Sequence, residues 1–381
     1  MKDQYVILTG SKNNAGDYLI KYRAKQLFSD LRPDRKIIDI NGWEQLNAEK
    51  LAIINQSKAL ILMGGPALIK NMVPKVYALT NNLEDIKAPI IMMGTGWKSQ
   101  RGNWEDTYSY PLNVKTSSLL KKIDNSGYQS SVRDYHTLNA IRFNGFNNFL
   151  MTGCPAYYDR DFINTELQLK KVNKVAFSLG VSFIESPSME KLMKENILAC
   201  KKKFSDKEFE VVFHHSLDRE KFKDAYNSSS AHVNKHNDFA DWLDTNSIKF
   251  VDISGSAENL MNYYSAVDFH LGYRVHAHIF MNSIAKQSIL ISEDGRAKGV
   301  KSAIAGVGLN GYLEFKDSFI SKVLNKLLPF YDRFTANSNL TKELMSEIDY
   351  EAKIDFIRIK NSRKQIDYNY IIMQQFLKQL P

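Results

Sequence analysis

Apolar residues along this chain fall into short, nearly continuous runs, and each run leads through a glycine or polar turn into a segment with helical spacing. Such an alternation is typical of parallel strands covered by helices on both faces. A charged stretch at residues 169–174 separates two series of runs. The first comprises residues 5–8, 36–40, 59–63, 89–93, 129–132 and 148–151, and the second comprises residues 175–179, 210–213, 248–252, 267–270 and 288–291. The pattern predicts an α/β protein with two doubly wound, Rossmann-like domains.

The charged stretch marks the predicted domain boundary, because 381 residues exceed one ordinary core. We assign residues 1–165 to an N-terminal domain, 166–333 to a C-terminal domain and 334–381 to a helical extension. The apolar residues of the extension favour packing back on the first domain, although its basic residues also suit a membrane surface. Helical spacing is also clear over residues 18–28, with Asp17 as the predicted N-terminal cap.

Composition narrows the class of protein. With 44% hydrophobic and 24% charged residues the chain is globular, and it shows neither an apolar run of membrane-spanning length nor a signal-peptide core. Cys154 and Cys200 are too far apart in sequence for metal-binding spacing, so a disulfide framework or zinc site is not expected and a cytoplasmic location fits. The inner face of the membrane is the second location that we consider.

The net charge of +9 favours anionic partners, such as phosphorylated substrates or phospholipid surfaces. Nucleic acid has the weakest support among such partners. The lysines are dispersed along the chain, and neither a recognition helix nor a zinc finger is present. We therefore expect no nucleic-acid partner.

Glycines cluster where the predicted strands of the first domain end. Glycine lets the backbone approach a ligand closely and exposes N–H donors, and in a parallel sheet these strand ends share one edge. Each turn by itself is more simply explained as a strand-to-helix connection. Neither a Walker A loop nor a G-x-G-x-x-G motif follows the first strand, so a nucleotide cofactor has no support. The predicted cleft backbone consists of Gly64, Gly65, Gly94, Gly96 and Gly153.

The run from Val267 to Phe280 carries the strongest chemical signal. Its first half alternates like a strand and stops at Gly272, and its second half places Arg274 and His276 at the start of a helix. Such a junction attracts anions through exposed N–H groups and the helix dipole. Arg274 fits a carboxylate or phosphate, and His276 can exchange a proton near neutral pH. A surface ion pair and a helix cap are the alternative interpretation.

Other charged residues also follow predicted strands. Asp134 is predicted to cap the helix after the fifth strand and to leave Arg133 facing the cleft between the domains. His215, Glu293 and Lys298 follow strands of the second domain. The domains would then face each other with glycines on one side and mostly cationic side chains on the other, an arrangement that suits a phosphorylated donor.

A metal site is not predicted. His276 and His278 would share a face on a strand, but on a helix they would not, because helical ligand pairs prefer a spacing of four. The residues that follow are helical in character, and no third ligand presents itself.

Taken together, these residues resemble the polysaccharide pyruvyl transferase family. Pro66, in place of a third glycine, and residues 293–298, in place of a Tyr-Asp-x-Lys segment, depart from the family pattern. The matching segments, which span most of residues 5–300, are residues 14–17 (Asn-Ala-Gly-Asp), 64–65 (Gly-Gly), 94–96 (Gly-Thr-Gly), 132–134 (Val-Arg-Asp), 153–155 (Gly-Cys-Pro) and 273–280 (Tyr-Arg-Val-His-Ala-His-Ile-Phe), followed by Ala285.

The resemblance implies a glycosyltransferase-B-like pair of Rossmann domains with the active site in the cleft. It also implies transfer of pyruvate from phosphoenolpyruvate to sugar hydroxyls, as a ketal on a surface glycan or its lipid-linked precursor. Phosphoenolpyruvate is then a donor substrate, and no cofactor is expected. The acceptor is a sugar or lipid-linked glycan; peripheral membrane contact and homo-oligomers stay open.

For this chemistry His276 is the candidate general acid, because enol phosphate transfer requires protonation of the methylene carbon. Arg274 and Arg133 are candidates for holding the carboxylate and phosphate. Asp134 or Glu293 is the candidate acceptor of the hydroxyl proton. Further candidates are Asn14, Gly16, Asp17, His215 and Lys298 for the donor, and Trp97, Trp104 and Glu293 for the acceptor.

Two other functions stay open. A glycosyltransferase-B enzyme with a nucleotide-sugar donor would share the fold and the basic residues, and Glu293 would hold the ribose. A non-enzymatic glycan-binding protein could use the same scaffold. Stabilisation by phosphoenolpyruvate, rather than by UDP, GDP or CMP sugars, distinguishes a pyruvyl transferase from the glycosyltransferase. A non-enzymatic protein would keep its ligand binding and biological output in Arg274→Ala and His276→Ala.

Overall fold

A computed structural model of the chain describes residues 2–10, 15–221, 230–328 and 331–381. The strands are β1 (Gln4–Thr9), β2 (Lys36–Asn41), β3 (Ala59–Leu68), β4 (Ile90–Trp97), β5 (Ser130–Val132), β6 (Phe149–Met151), β7 (Lys174–Ser178), β8 (Glu208–Phe213), β9 (Lys249–Asp252), β10 (Phe269–Gly272), β11 (Gln287–Ser292), β12 (Gly308–Asn310), β13 (Tyr312–Phe315) and β14 (Phe334–Ala336).

The α-helices are α1 (Ala15–Leu31), α2 (Ala48–Asn55), α3 (Met72–Lys75), α4 (Glu105–Tyr108), α5 (Val114–Asp124), α6 (Tyr135–Phe143), α7 (Pro187–Lys203), α8 (Ser230–Thr245), α9 (Ala257–Ser265), α10 (Val275–Ser283), α11 (Gly295–Ile304), α12 (Phe319–Leu327), α13 (Leu340–Lys353) and α14 (Ile357–Lys378). Short 3₁₀ helices lie at Leu83–Asp85, Pro155–Tyr157, Arg160–Phe162 and Ser182–Ile184.

The first sheet is parallel, with the strand order β2-β1-β3-β4-β5-β6. All eight residues of β4 are buried, as expected for a central strand that helices cover on both faces. The chain runs from β1 to the β2 edge and then crosses back to β3, so the strand order reverses between β1 and β3. In open α/β sheets, ligands bind in the crevice at the carboxyl ends of the strands at such a reversal.

The second sheet is also parallel, with the order β12-β11-β10-β7-β8-β9. Its reversal lies between β7 and β10, whose last residues, Ser178 and Gly272, are paired in register. A small antiparallel pair, β13 and β14, stands apart from both sheets. Each sheet therefore supplies one ligand-binding crevice.

All eleven apolar runs form strands in these two sheets, which confirms the predicted fold class. Strands β3 and β4 continue beyond their predicted ends, because Gly64, Gly65, Gly94 and Gly96 are part of the strands themselves. The prediction that Asp17 caps the first helix is wrong. Asp17 lies inside α1, in the first turn, where a carboxylate still complements the helix dipole.

The C-terminal helix α14 contacts both sheet-bearing regions. Most of its buried apolar residues belong to the same core cluster as the strands of the first sheet, and Ile359 belongs to that of the second. At the end of the chain, the hydroxyl of Tyr5 in β1 donates to the carbonyl oxygen of Pro381 at 2.7 Å. Asn369 donates through Nδ2 to the carbonyl oxygen of Ala303 in α11 at 2.9 Å. The helix thus ties the first sheet to the helices of the second.

Helix α10 is buried along its whole length, from Val275 to Ser283. A helix without an exposed polar face is stable only when other elements surround it. Here α10 lies between its own sheet, the first-domain helix α1 and the C-terminal helix α14. The helix that begins directly after Arg274 is therefore part of the contact between the two domains.

Cys154 and Cys200 are free and buried. Burial raises the pKa of the Cys154 thiol to about 11. In the described part of the chain, no helix combines the length and the apolar character needed to cross a bilayer.

Candidate active site

The crevices of the two sheets face each other across the domain contact. Gly16, in the first turn of α1, lies against the ring of His276 from α10, and a Cβ at Gly16 would come within 1.8 Å of Nδ1. Nearby, the backbone N–H of Gly295 donates to the carbonyl oxygen of Ser99 at 2.8 Å. The carboxyl ends of both sheets thus meet around His276.

Arg274 is positioned by the end of β10. Gly272 has a φ of +126°, and a Cβ there would lie 2.4 Å from the carbonyl oxygen of Ser178, so the chain needs glycine at this point. The Oγ of Ser178 accepts the backbone N–H of Arg274 at 3.0 Å. His270 bridges the hydroxyls of Ser178 and Ser288, at 2.8 and 2.7 Å. This buried network holds the segment from which Arg274 and His276 project.

His276 lies in a strongly positive environment. Its side chain is buried, and Nε2 has no hydrogen-bond partner in the described chain. Burial, followed by the charges of Arg133, Arg296 and Arg274, lowers its pKa to about 3. The imidazole is therefore neutral at pH 7 in the unliganded protein, and an anion bound beside it would offset the three guanidinium charges.

Arg133 contributes the most deeply buried of these charges, with a side chain that is 0% exposed. Its Nε lies 3.5 Å from Oδ2 of Asp134, and none of its three guanidinium nitrogens has a hydrogen-bond partner among the described residues. Gly96 makes room for it, since a Cβ there would come within 2.0 Å of Nε. A buried guanidinium without hydrogen bonds is costly, so this arrangement indicates a site for an anion.

Arg296 is a site residue that the sequence analysis did not single out. It lies in the first turn of α11 and donates through Nε to Asp294 at 2.8 Å. The charge of Asp294 raises the pKa of Arg296, with smaller contributions from Glu293 and Asp17. Although burial alone would raise the pKa of Asp294, Arg296 lowers it. Its position after a buried strand is the signal in the sequence, but Lys298 of the same segment was predicted instead.

A cavity of about 410 Å³ occupies the crevice of the first sheet, next to this cluster. Sequence reasoning also missed Trp43, which follows β2 and contributes an aromatic wall. The cavity is lined by Thr9, Gly10, Asp17, Tyr18, Ile20, Lys21, Asn41, Trp43, Met63, Gly64, Gly65, Pro66, Ala67 and Val76. Polar groups and an aromatic ring therefore adjoin the buried arginines.

Arg133, Arg274 and His276 lie within a stretch that matches a known family model. The model is described as polysaccharide pyruvyl transferase, and it matches residues 14–292, more than half of the chain. The chain belongs to this family. The match includes Arg133, Arg274 and His276 and ends before Arg296.

Solved structures with a related overall arrangement are distant from this family member. The UDP-GlcNAc 2-epimerase of Neisseria meningitidis, bound to UDP-GlcNAc, is 10% identical, with 99% of this chain and 100% of that chain covered and a TM-score of 0.48. The epimerase of Methanocaldococcus jannaschii, in complex with UDP-GlcNAc and UDP, is 12% identical, with coverages of 92% and 100% and a TM-score of 0.44. The wall teichoic acid polymerase TagF is 13% identical, with coverages of 100% and 90% and a TM-score of 0.40. No curated protein matches the chain in sequence.

The two candidate bases of this pyruvyl transferase family member have other hydrogen-bond partners. Asp134 caps α6, as predicted, and its Oδ1 accepts the backbone N–H of Thr137 at 2.7 Å. The Oε2 of Glu293 accepts the backbone N–H groups of Val181 and Ser182, at 2.8 and 2.9 Å. Both carboxylates are buried and neither lines the 410 Å³ cavity, but Glu293 lines the small space around Arg274, His276 and Arg296.

The other predicted donor residues differ in their surroundings. Lys298 donates through Nζ to the carbonyl oxygen of Arg101 at 2.6 Å and so links the two domains. His215 lies near Arg274, and burial, then that charge, holds its pKa well below the usual range. Gly16 and Asp17 adjoin His276 and the cavity, respectively. Asn14 lies outside the described residues.

Of the two tryptophans predicted for the acceptor, only Trp104 is accessible. Trp97 is fully buried between Tyr110 and His136, with ring centroids 5.5 Å from each, so it serves the core and not a ligand. Trp104 is 43% exposed and stacks on His136 at 3.8 Å. It lines a second cavity, of about 550 Å³, together with Lys298 and other residues of both domains.

The predicted cleft glycines separate into two groups. Gly64 and Gly65 line the 410 Å³ cavity, and Gly96 lies against the Arg133 guanidinium. Gly94 and Gly153 serve packing instead. A Cβ at either position would come within 2.5 Å of Pro155 or Tyr158, respectively.

In the described ranges, no group of three or more His, Cys, Asp or Glu residues is placed to hold a metal ion. His276 and His278 both lie on helix α10. The Nδ1 of His278 shares a hydrogen bond with the Oγ of Ser288 at 2.7 Å, which ties this ring to the buried network under Arg274.

We expect this family member to lose stability steeply in acid. Burial is the largest cause that lowers the pKa of seven histidines, to about 3 for His276 and His278 and to about 4 for His236, with the same direction for His136, His214, His215 and His270. Below pH 6.5 these histidines bind protons in the unfolded chain but not in the folded chain. Each such histidine then costs roughly 1 kcal/mol per pH unit until its folded pKa is reached. Urea unfolding at pH 7.5, 6 and 5 measures this, and a midpoint that does not move would contradict it.

Proposed function

We propose that this protein transfers pyruvate from phosphoenolpyruvate onto hydroxyl groups of a sugar, forming a ketal. The observation that carries the proposal is the buried Arg133 guanidinium, which lacks a hydrogen-bond partner in the described chain, beside Arg274 and Arg296 around His276. Membership of the polysaccharide pyruvyl transferase family supports a glycan acceptor.

Phosphoenolpyruvate suits this cluster because it places a carboxylate and a phosphate on neighbouring atoms. Guanidinium groups bind both anions through paired, charge-assisted hydrogen bonds. Arg133 and Arg274 would hold these two groups, and Arg296, already paired with Asp294, would add positive potential. The space among Arg274, His276 and Arg296 is about 20 Å³. A three-carbon enol phosphate requires far less enlargement of this space than a nucleotide sugar, which favours the smaller donor.

The bound donor would also prepare His276 for catalysis. In the unliganded site burial and three guanidinium charges hold the pKa of His276 near 3. A multiply charged anion beside the ring would reverse the local potential and raise that pKa, because opposite charge favours the protonated form. The imidazolium would then donate its proton to the methylene carbon, a role that contributes roughly 10²–10⁴-fold.

Calorimetry tests whether phosphoenolpyruvate is the donor. We expect phosphoenolpyruvate to bind with uptake of protons, seen as a binding enthalpy that depends on the ionisation enthalpy of the buffer. At a hundred times Kd it should raise the free energy of unfolding by about 2.7 kcal/mol. UDP, GDP and CMP sugars should give no such stabilisation. The control 2-phosphoglycerate carries both anionic groups without the enol, so it should bind but release no phosphate. Stabilisation by a nucleotide sugar alone would refute the proposal in favour of a glycosyltransferase.

A further inference from the structure

The 410 Å³ cavity lies beside the donor cluster and reaches the crevice of the first sheet. Its volume falls within the range of about 300–1,000 Å³ that is usual for small-ligand sites. Asp17 links the two regions. It lines the cavity, it follows directly on Gly16, which contacts the His276 ring, and its charge acts on Arg296. A ligand in the cavity would therefore meet the donor at His276.

The lining selects for an uncharged ligand. Asp17 contributes a negative charge, and its Oδ1 would lie 3.0 Å from a Cβ at Gly65, so the carboxylate sits over the edge of β3. Among the described residues of the lining the cation is Lys21, which is paired with Asp39 at 2.5 Å. A phosphate or nucleotide is thus disfavoured here, whereas hydroxyl groups can donate to a carboxylate.

Trp43 adds the second element of sugar recognition. It forms part of the cavity wall, with the side chains of Tyr18 and Asn41 alongside. An aromatic face packs against the C–H groups of a pyranose ring, while carboxylate and amide oxygens accept hydrogen bonds from its hydroxyls. Backbone at Gly64 and Gly65 allows close approach on the opposite side.

Asp17 is better placed than Asp134 to receive the hydroxyl proton. The side chain of Asp134 is 0% exposed, its Oδ1 accepts two hydrogen bonds from Thr137, and its Oδ2 faces Arg133. Gly299 of the second domain packs against Asp134, and a Cβ at Gly299 would lie only 2.8 Å from Cγ of Asp134. Asp17 lines the 410 Å³ cavity, so a ligand there can reach its carboxylate.

We propose that this cavity is the acceptor subsite for a neutral pyranose, with Trp43 as its stacking surface and Asp17 as the base for the attacking hydroxyl. The inference rests on the proposed function. Asp17 takes the proton of the first hydroxyl as its oxygen bonds to C2 of the donor, whose C3 has received a proton from His276. The C2–O bond to phosphate then breaks, the second hydroxyl bonds to C2, and its proton leaves with the phosphate. Solvent carries the proton of Asp17 away and restores that of His276.

Saturation-transfer NMR tests the subsite with methyl glycosides of glucose, galactose, mannose and N-acetylmannosamine, in the presence of phosphoenolpyruvate. We expect wild-type protein to give saturation transfer to the ring protons of at least one glycoside. Trp43→Ala should lose that signal while calorimetry shows unchanged phosphoenolpyruvate binding. Tyr368→Ala, which removes an exposed aromatic ring from α14, is the matched control and should keep both.

The variant Asp17→Asn tests the role of Asp17 as the base independently of sugar binding in the cavity. This variant should keep the glycoside signal and donor binding but lose roughly 10²–10⁴-fold in phosphate release. Phosphate release at the wild-type rate would overturn the role of Asp17. A signal that survives Trp43→Ala but disappears in Trp104→Ala would place the sugar in the second cavity and overturn the subsite, as would no signal from any glycoside. Failure of phosphoenolpyruvate to bind wild-type protein would instead refute the proposed function.

Discussion

Replacing Gly16 with alanine should lower phosphate release by about a hundredfold or more while leaving the fold intact. The added Cβ would lie 1.8 Å from Nδ1 and 2.2 Å from Cγ of His276, so the ring must move. A displacement of about 1 Å at a reacting group can cost about 10²-fold in rate. Helix α1 itself should tolerate the change, because alanine is a better helix former than glycine. The measurement is kcat for phosphate release, with circular dichroism to follow the fold.

A double-mutant cycle tests whether the effect acts through His276. His276→Ala should lower activity in its own right, and adding Gly16→Ala should then cost no further activity or stability, because the clash is gone. Gly16→Ala alone should be destabilised relative to the double variant. If the loss of activity in the double variant equalled the sum of the losses in the two single variants, the contact would be contradicted, since the effects of independent sites add.

Replacing Arg133 with methionine should lower kcat/KM for phosphoenolpyruvate by roughly 10²–10⁴-fold. The substitution removes two charge-assisted hydrogen bonds to the donor, each worth about 1.5–3 kcal/mol. The nitrogens of this guanidinium have no hydrogen-bond partner in the described chain, so we expect the substitution to weaken binding of the ligand. Arg133→Lys keeps the charge but loses the planar fork, so its kcat/KM should fall between those of the wild type and Arg133→Met.

Arg32→Lys is the matched control for this series. Arg32 is also a buried arginine, but its Nη1 donates to the carbonyl oxygen of Leu380 at 2.8 Å, far from His276 in the fold. It should lose stability and keep kcat/KM. Wild-type affinity for phosphoenolpyruvate in Arg133→Met would show that the guanidinium serves structure alone and would remove the main support for the proposed donor.

The strand-end positions were accessible to sequence reasoning because parallel strands present all their carboxyl ends at one edge. Arg133, Arg274 and His276 follow buried runs, and any correct assignment of those runs brings them to an edge of a sheet. The prediction that Trp97 contacts the acceptor has a related origin. The residue follows an apolar run too, but β4 extends as far as Trp97 itself and carries that ring into the core.

Local periodicity thus determined the two sheets, their helices and the residues at the sheet edges, because burial forces apolar residues into runs that any reader of the chain can find. The packing of the two domains against each other decided which residues meet across them. The contact of Gly16 with His276 and the charge of Arg133 near His276 join residues of different domains, whereas the cavity beside Trp43 assembles residues 9–76 of the first domain. Such contacts depend on the packing of whole surfaces, which no local spacing encodes.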